Sequence, residues 1–283
     1  MNPQSIPTES PAGCQTHAMA TTTAAPAGKT RKPILIKNLR RFNIIAGFAH
    51  LIQMVLILVL ANDFSLPITA GYLTGPPGTP LSTVTLMDSR IAWGVALFFA
   101  LSALFHFIVA APGFFPRYER GLLANHNYFR WVEYSISSSV MIVLIAQICG
   151  VQDVIALMAV FGVNASMILF GWLQEKYETP GSGGFVPFIF GCMTGIVPWL
   201  AIIVVTIVSA SQSDVPIPPF VIGIIVSLFV FFNSFALVQW LQYKKIGRWA
   251  DYLRGERAYI VLSLVAKSAL AWQIFGGTLA PTG

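Results

Sequence analysis

Charge is what this sequence has least of. Only 10% of its 283 residues are Asp, Glu, Lys or Arg, while 55% are hydrophobic. A soluble domain carries roughly 25% charged residues, so an ordinary water-facing surface is excluded and the chain reads as a polytopic membrane protein. Cysteine is scarce too. Cys14, Cys149 and Cys192 stand far apart, odd in number and without a CxxC spacing. That excludes a disulfide framework or a cysteine zinc site and leaves them as small apolar filler. Residues 1–28 lack large apolar side chains almost entirely. Their Ser, Thr, Pro and Ala composition reads as disorder, and without an apolar core they are no secretory signal.

What is present is apolar and periodic in length. Seven segments near 42–62, 90–112, 126–149, 153–173, 186–210, 217–241 and 257–278 each approach the ~20 residues that cross a bilayer as a helix. Gly162, Pro187 and Pro198 interrupt two of them, which spanning helices tolerate. The fold class is therefore all-α membrane, a seven-helix bundle. Residues 1–40 are expected to be a disordered basic tail, with the bundle over 41–280. The net charge of +6 follows from where the basic residues sit and does not call for nucleic acid. With the N-terminus in the cytoplasm, 15 of the 17 Lys and Arg lie at or inside the inner boundary, Arg90 lies outside and Lys267 is in the membrane. The positive-inside rule selects that orientation and places the C-terminus outside, in a multi-pass cell-membrane protein. In the first outer loop, Ile68–Leu73 and Leu81–Met87 flank the Gly/Pro-rich run 74–80, the pattern of a β-hairpin. A lone hairpin is marginal in water, so it is expected to pack on the helices or on a second protomer.

One acid and one base are expected at depth. Glu133 and Lys267 each fall eight or nine residues in from the inner end of their segments, roughly 13 Å at 1.5 Å per residue. They are level and can pair directly, and charges in a bilayer need a partner or a function. A snorkelling structural lysine would have a long reach from mid-span. A desolvated amine is instead a nucleophile toward carbonyls, and a Schiff base with an aldehyde is its natural use. Ser137 and Ser263 lie one turn from Glu133 and Lys267 on the same faces and can hydrogen-bond the pair, although serines in such helices also serve as glue between helices. Ser138 fits either role. His50 and His106 fall at similar depth in the first and second segments. They are interhelical hydrogen-bonders or, beside a carboxylate, proton acceptors. No third ligand at their depth suggests a metal.

These residues carry a family resemblance. Seven segments with a mid-span lysine in the last resemble microbial rhodopsins. The inward N-terminus, the run Arg130-Trp-Val-Glu133-Tyr-Ser-Ile-Ser-Ser-Ser139 and Ser263-x-x-x-Lys267 are similar to one branch, the heliorhodopsins. The resemblance covers residues 40–280. It implies covalent all-trans retinal on Lys267 with Glu133 as counterion, and Ser137 and Ser263 near the Schiff base. It also implies a proton-accepting cluster at His50 and His106, and a homodimer with the first outer loop in its interface. Tyr134, Ser138, Asn164, Met167, Phe232 and Gln239 are then expected around the retinal. The residue eleven after Glu133 is Leu144, where outward pumps carry a second carboxylate. The expected function is light sensing, with a slow signal to an unidentified cytoplasmic protein through the 113–125 and 242–257 loops, and no enzymatic activity. A light-gated channel or transporter is the alternative. A Schiff-base enzyme and a purely structural protein stand behind it.

Overall fold

The computed structural model describes residues 27–281, with side chains described from Pro33 onward. Residues 1–26, which include Cys14 and most of the expected tail, lie outside the described residues.

The chain runs α1 (Ala27–Leu60), β1 (Ser65–Leu73), β2 (Leu81–Arg90), α2 (Ile91–Ala110), α3 (Phe115–Leu123), α4 (Tyr128–Ile148), α5 (Val154–Tyr177), α6 (Val186–Gln212), α7 (Pro219–Tyr243) and α8 (Tyr252–Ile274). Among the described residues, seven helices are long and apolar enough to cross a membrane: all but α3. Successive spans run antiparallel, because short connections leave no other course. One end of the bundle holds the hairpin. The other holds Arg130, α3 and the α7–α8 connection.

Two helix ends reach further than the apolar runs alone indicate. The α5 helix continues to Tyr177, and α8 begins at Tyr252, where the Asp251 side chain accepts from Leu253 N. An aspartate at this position satisfies one of the orphan N–H groups of a first turn. Glu175 and Glu256 therefore belong to helices, although the expected boundaries place them in loops. The α1 helix likewise begins at Ala27, so residues 27–40, expected as tail, are its opening turns. Ile36 and Leu39 explain why: they are buried with Tyr118 and Leu122 of α3 and Leu253 and Ile260 of α8 in a small apolar cluster.

The main core lies toward the hairpin. Phe98, Phe99, Ile142, Ile145, Ile202, Ile224, Leu270 and Ile274 are fully buried there. Outward faces carry apolar residues such as Ile45, Val59, Val204 and Ile207, as lipid contact requires. Pro198 sits inside α6 and is buried, and Pro187 falls in that helix's first turn, where its missing N–H costs no hydrogen bond.

The expected hairpin is present, with β1 and β2 antiparallel and a register shift between Ile68 and Thr69. It packs on the bundle through the α4–α5 connection: Thr69 N donates to Gln152 O at 2.9 Å. Asp153 caps α5 by accepting from Ile155 N and Ala156 N. At the same end Asn62 closes α1 onto the chain's last turn. Its N–H donates to Leu279 O at 2.9 Å, and its Nδ2 reaches the carbonyls of Thr278 and Ala280.

Candidate retinal site

Lys267 and Glu133 meet in the middle of the bundle. Lys267 Nζ lies 3.1 Å from Glu133 Oε1 and donates to Ser263 Oγ at 2.8 Å. The side chains are 4% and 5% exposed, so the pair is shut off from water, and removing either partner would strand a buried charge. Ser263 stands one turn before Lys267, and helical neighbours four apart share a face. Its hydroxyl thus holds the amine as the spacing predicts. Ser137 does not join. It is fully buried, but its Oγ has no hydrogen-bond partner. Its expected place is taken from another helix: Ser102 Oγ of α2 donates to Glu133 Oε1 at 2.7 Å. Nothing within α4 could have revealed this, since the donor comes from a sequence-distant span.

Two cavities meet at this pair. The larger, about 170 Å³, is apolar and lies between α4, α5, α6, α7 and α8. A single water needs only ~10–15 Å³. Tyr134, Ser138, Met167, Phe232, Gln239 and Lys267 all line it. Gln239 Nε2 donates to Gly171 O at 3.0 Å. Phe232 packs edge-on against Trp199, with ring centroids 5.6 Å apart. Asn164 stands behind the wall, its Nδ2 donating to Ser138 Oγ and Ser139 Oγ at 2.9 and 3.0 Å. Sequence reasoning missed Trp131, Trp199 and the floor glycines. A Cβ on Gly171 would collide with the Trp131 ring, and one on Gly195 with Met167 Sδ. The cavity suits a long apolar molecule ending at Lys267 Nζ, and the two glycines leave room for the Trp131 ring and the Met167 thioether in its wall.

The smaller cavity, about 40 Å³, is the one with polar lining groups: Glu133, Ser102, His106, Asn43, Arg130 and Glu256 line it beside Phe105, Val109, Phe129 and Ile260. Lys267 lines the apolar cavity and Glu133 the polar one. His106 Nδ1 lies 2.7 Å from Asn43 Oδ1, and Asn43 Nδ2 donates to Tyr118 OH at 3.3 Å. Burial pushes the Tyr118 phenol up to about 12, against the opposing effects of the Asn43 hydrogen bond and the Arg130 charge. His50 is fully buried and stacks on His106 at 5.4 Å, and neither of its ring nitrogens has a partner. The two expected histidines are together, but only His106 faces the cavity that Glu133 lines.

Arg130 turns away from Glu133. Its guanidinium pairs with Glu175 at 2.8 Å and with Glu256, and lies over the Tyr259 ring at 4.2 Å. Glu175 also accepts from Trp131 Nε1, from Tyr252 OH at 2.7 Å and from Asn127 N at 3.0 Å. Glu133 is thus not the only buried acid, which corrects the reading from the sequence. Glu175 and Glu256 lie near span ends, where carboxylates ordinarily face water, so the sequence carries no mark of their burial. Tyr134 joins the two groups. Its OH donates to Tyr259 O at 2.9 Å, and Lys267 Nζ lies 5.2 Å from its ring centre.

Seven spanning helices that bury a lysine against a carboxylate, at the mouth of a long apolar cavity, define a membrane protein of the retinal-binding kind. The comparison with known families agrees. The heliorhodopsin family model matches residues 39–279, and the chain belongs to the heliorhodopsin family, light-sensing retinal proteins of the microbial rhodopsin class. No curated protein matches the chain.

Proposed function

We propose that the protein is a light sensor in which all-trans retinal, joined to Lys267 Nζ as a protonated Schiff base, supplies light absorption and an isomerising polyene. The observation that carries this reading is the position of Nζ. It opens on the apolar cavity on one side and touches Glu133, at the edge of the polar cavity, on the other. Glu133 balances the positive charge at Nζ, and Ser102 and Ser263 fix the two partners in register. A proton leaving Nζ has Glu133 Oε1, at 3.1 Å, as the carboxylate beside it, with the Ser102, His106 and Asn43 side chains beyond. Tyr134 and Tyr259 then link any displacement at Lys267 to Arg130.

Signalling is favoured over pumping because the polar groups continue toward one end only. Toward the hairpin, Leu144 and Ile145 are buried in the apolar core. Among the described residues, no buried carboxyl lies on that side. By the positive-inside rule the Arg130 end faces the cytoplasm. The signal would pass there, to a protein bound against the 113–125 and 242–257 loops. The hairpin exposes Tyr72, Leu73, Leu81, Val84 and Met87, and a second copy of the chain is the partner that would cover them.

The test is the visible spectrum after addition of all-trans retinal, for wild type and Lys267→Ala. A band in the wild type, absent in the variant, is expected. No band in either would overturn the reading. Steady photocurrent in a voltage-clamped cell would favour a channel or transporter instead.

A further inference from the structure

The buried charges do not balance. Two cations, Arg130 and Lys267, face three buried carboxyls, Glu133, Glu175 and Glu256. A net charge left inside a bilayer without a partner is expensive, so neutrality requires one further proton in the network. Glu133 is not its holder while Lys267 is charged. It takes donors from both Lys267 Nζ and Ser102 Oγ on one oxygen. Glu175 is not its holder either. Arg130 Nη2, Trp131 Nε1, Asn127 N and Tyr252 OH all donate to it. The first three cannot accept a proton in return, so this is a cradle for an anion. Glu256 is the exception. Besides the contact with Arg130, which it shares with Glu175, it has only Asn127 Nδ2, at 2.9 Å from its Oε2. It is 1% exposed and lines the same polar cavity as Glu133.

We propose that Glu256 holds the extra proton in the dark and is a second protonatable carboxyl coupled to the counterion through their shared cavity. The groups around it are few. Asn127 and Arg130 come from α4, Glu175 from α5, Tyr252 and Tyr259 from α8. His106 of α2, Tyr118 of α3 and Asn43 of α1 line the rest of the cavity. From α7 come Gln242 and Tyr243, which bring no charge. Arg130 and Glu175 then form a neutral ion pair, Lys267 and Glu133 a second one, and Glu256 stays neutral between them. When the proton on Lys267 Nζ moves to Glu133, both members of that pair lose their charge, and the field at Glu256 changes without any proton crossing the membrane. This extends the light-sensing reading by naming the group at the cytoplasmic end that registers the event.

Carboxyl carbon-13 NMR of the full chain with labelled glutamate, near neutral pH, tests the proton independently of retinal. A protonated glutamate signal is expected in the wild type. It should be lost in Glu256→Gln, and in Glu256→Asp it should be replaced by an aspartic acid signal (with labelled aspartate). Absence of the signal, its survival in Glu256→Gln, or its persistence as a glutamic acid signal in Glu256→Asp would each overturn the proposal. The coupling is read in the light-minus-dark infrared spectrum of the retinal-loaded protein. A carboxylic acid band that shifts on illumination in the wild type and is missing in Glu256→Gln is expected. An identical spectrum in both overturns the coupling. Failure of the chromophore reading would show separately, as a wild type without a visible band.

Discussion

The two ends of the same bundle solve opposite problems. Toward the hairpin, the space between helices is filled by Phe98, Phe99, Ile142, Ile145, Ile202 and Ile274, all fully buried. Among the described residues its buried polar side chains are few: Gln147 and, nearer the middle, Ser139 and Asn164. Toward Arg130, the helices enclose Asn43, Asn127, Arg130, Glu175, Gln242 and Glu256, joined by hydrogen bonds and ion pairs. In lipid, apolar burial gives helices little reason to associate, since the tails are as apolar as the core. The hairpin half is held by close packing, whereas the Arg130 half is held by polar links. Packing cannot change by degrees, and a polar network can rearrange with one proton. The difference therefore assigns rigidity to one end and response to the other.

The largest effect should come from carrying the character of one half into the other. Ile145→Asp places an unpartnered carboxyl in the packed half, at a cost of ~3 kcal/mol or more. Loss of folded protein is expected by size-exclusion chromatography in detergent. Normal yield would mean that this half is not closed. Glu133→Ala should be next. It strands Lys267 in a buried site, for which about 3–5 kcal/mol is typical. A lower melting temperature is expected, with a visible band moved to short wavelength at neutral pH. An unmoved band would show that another group balances Nζ. Within the packed half, Ile274→Ala should cost about 2–5 kcal/mol by leaving a cavity while leaving the wavelength of the visible band unchanged. Ser263→Ala should do the reverse, with a small change in melting temperature and a clear change in the band.

The smallest effect concerns pH. Burial raises the Tyr118 phenol from 10.0 to about 12. Between those values the unfolded chain has lost the proton that the folded state still binds, so stability falls as pH rises through the interval. Tyr118→Phe should remove that part of the alkaline loss, seen as melting temperatures of the two proteins converging or crossing from pH 10 to 12. Parallel curves would mean that the phenol is not protected.

The packed half was legible in the sequence and the polar half only in part. Apolar runs near bilayer length mark spans whatever their neighbours are, so six of the seven begin within a few residues of expectation. The first begins earlier, because the apolar residues that anchor it, Ile36 and Leu39, are interleaved with lysine and arginine. Lys267 and Glu133 were readable because counting along two helices that enter from the same side gives their depth. Ser102 was not, because a hydrogen bond between α2 and α4 depends on rotation about the helix axes, which periodicity does not define in helices apolar on every face. Arg130 was expected at the boundary and Glu175 and Glu256 in loops. Charged groups near a span end normally reach water, and nothing local distinguishes three that close on one another. Ser137 shows the converse: sharing a face with Glu133 did not give it a partner in the pair.

Asn62 bears on how the protein can be handled. Three of its bonds end on the main-chain oxygens of residues 278–280, so the first span and the last are laced together by backbone atoms that no side-chain substitution at those three positions removes. A reporter domain spliced in after Pro281 would leave the lacing intact. One spliced in after Ile274 would cut it, and the first and last helices would be free to part at that rim.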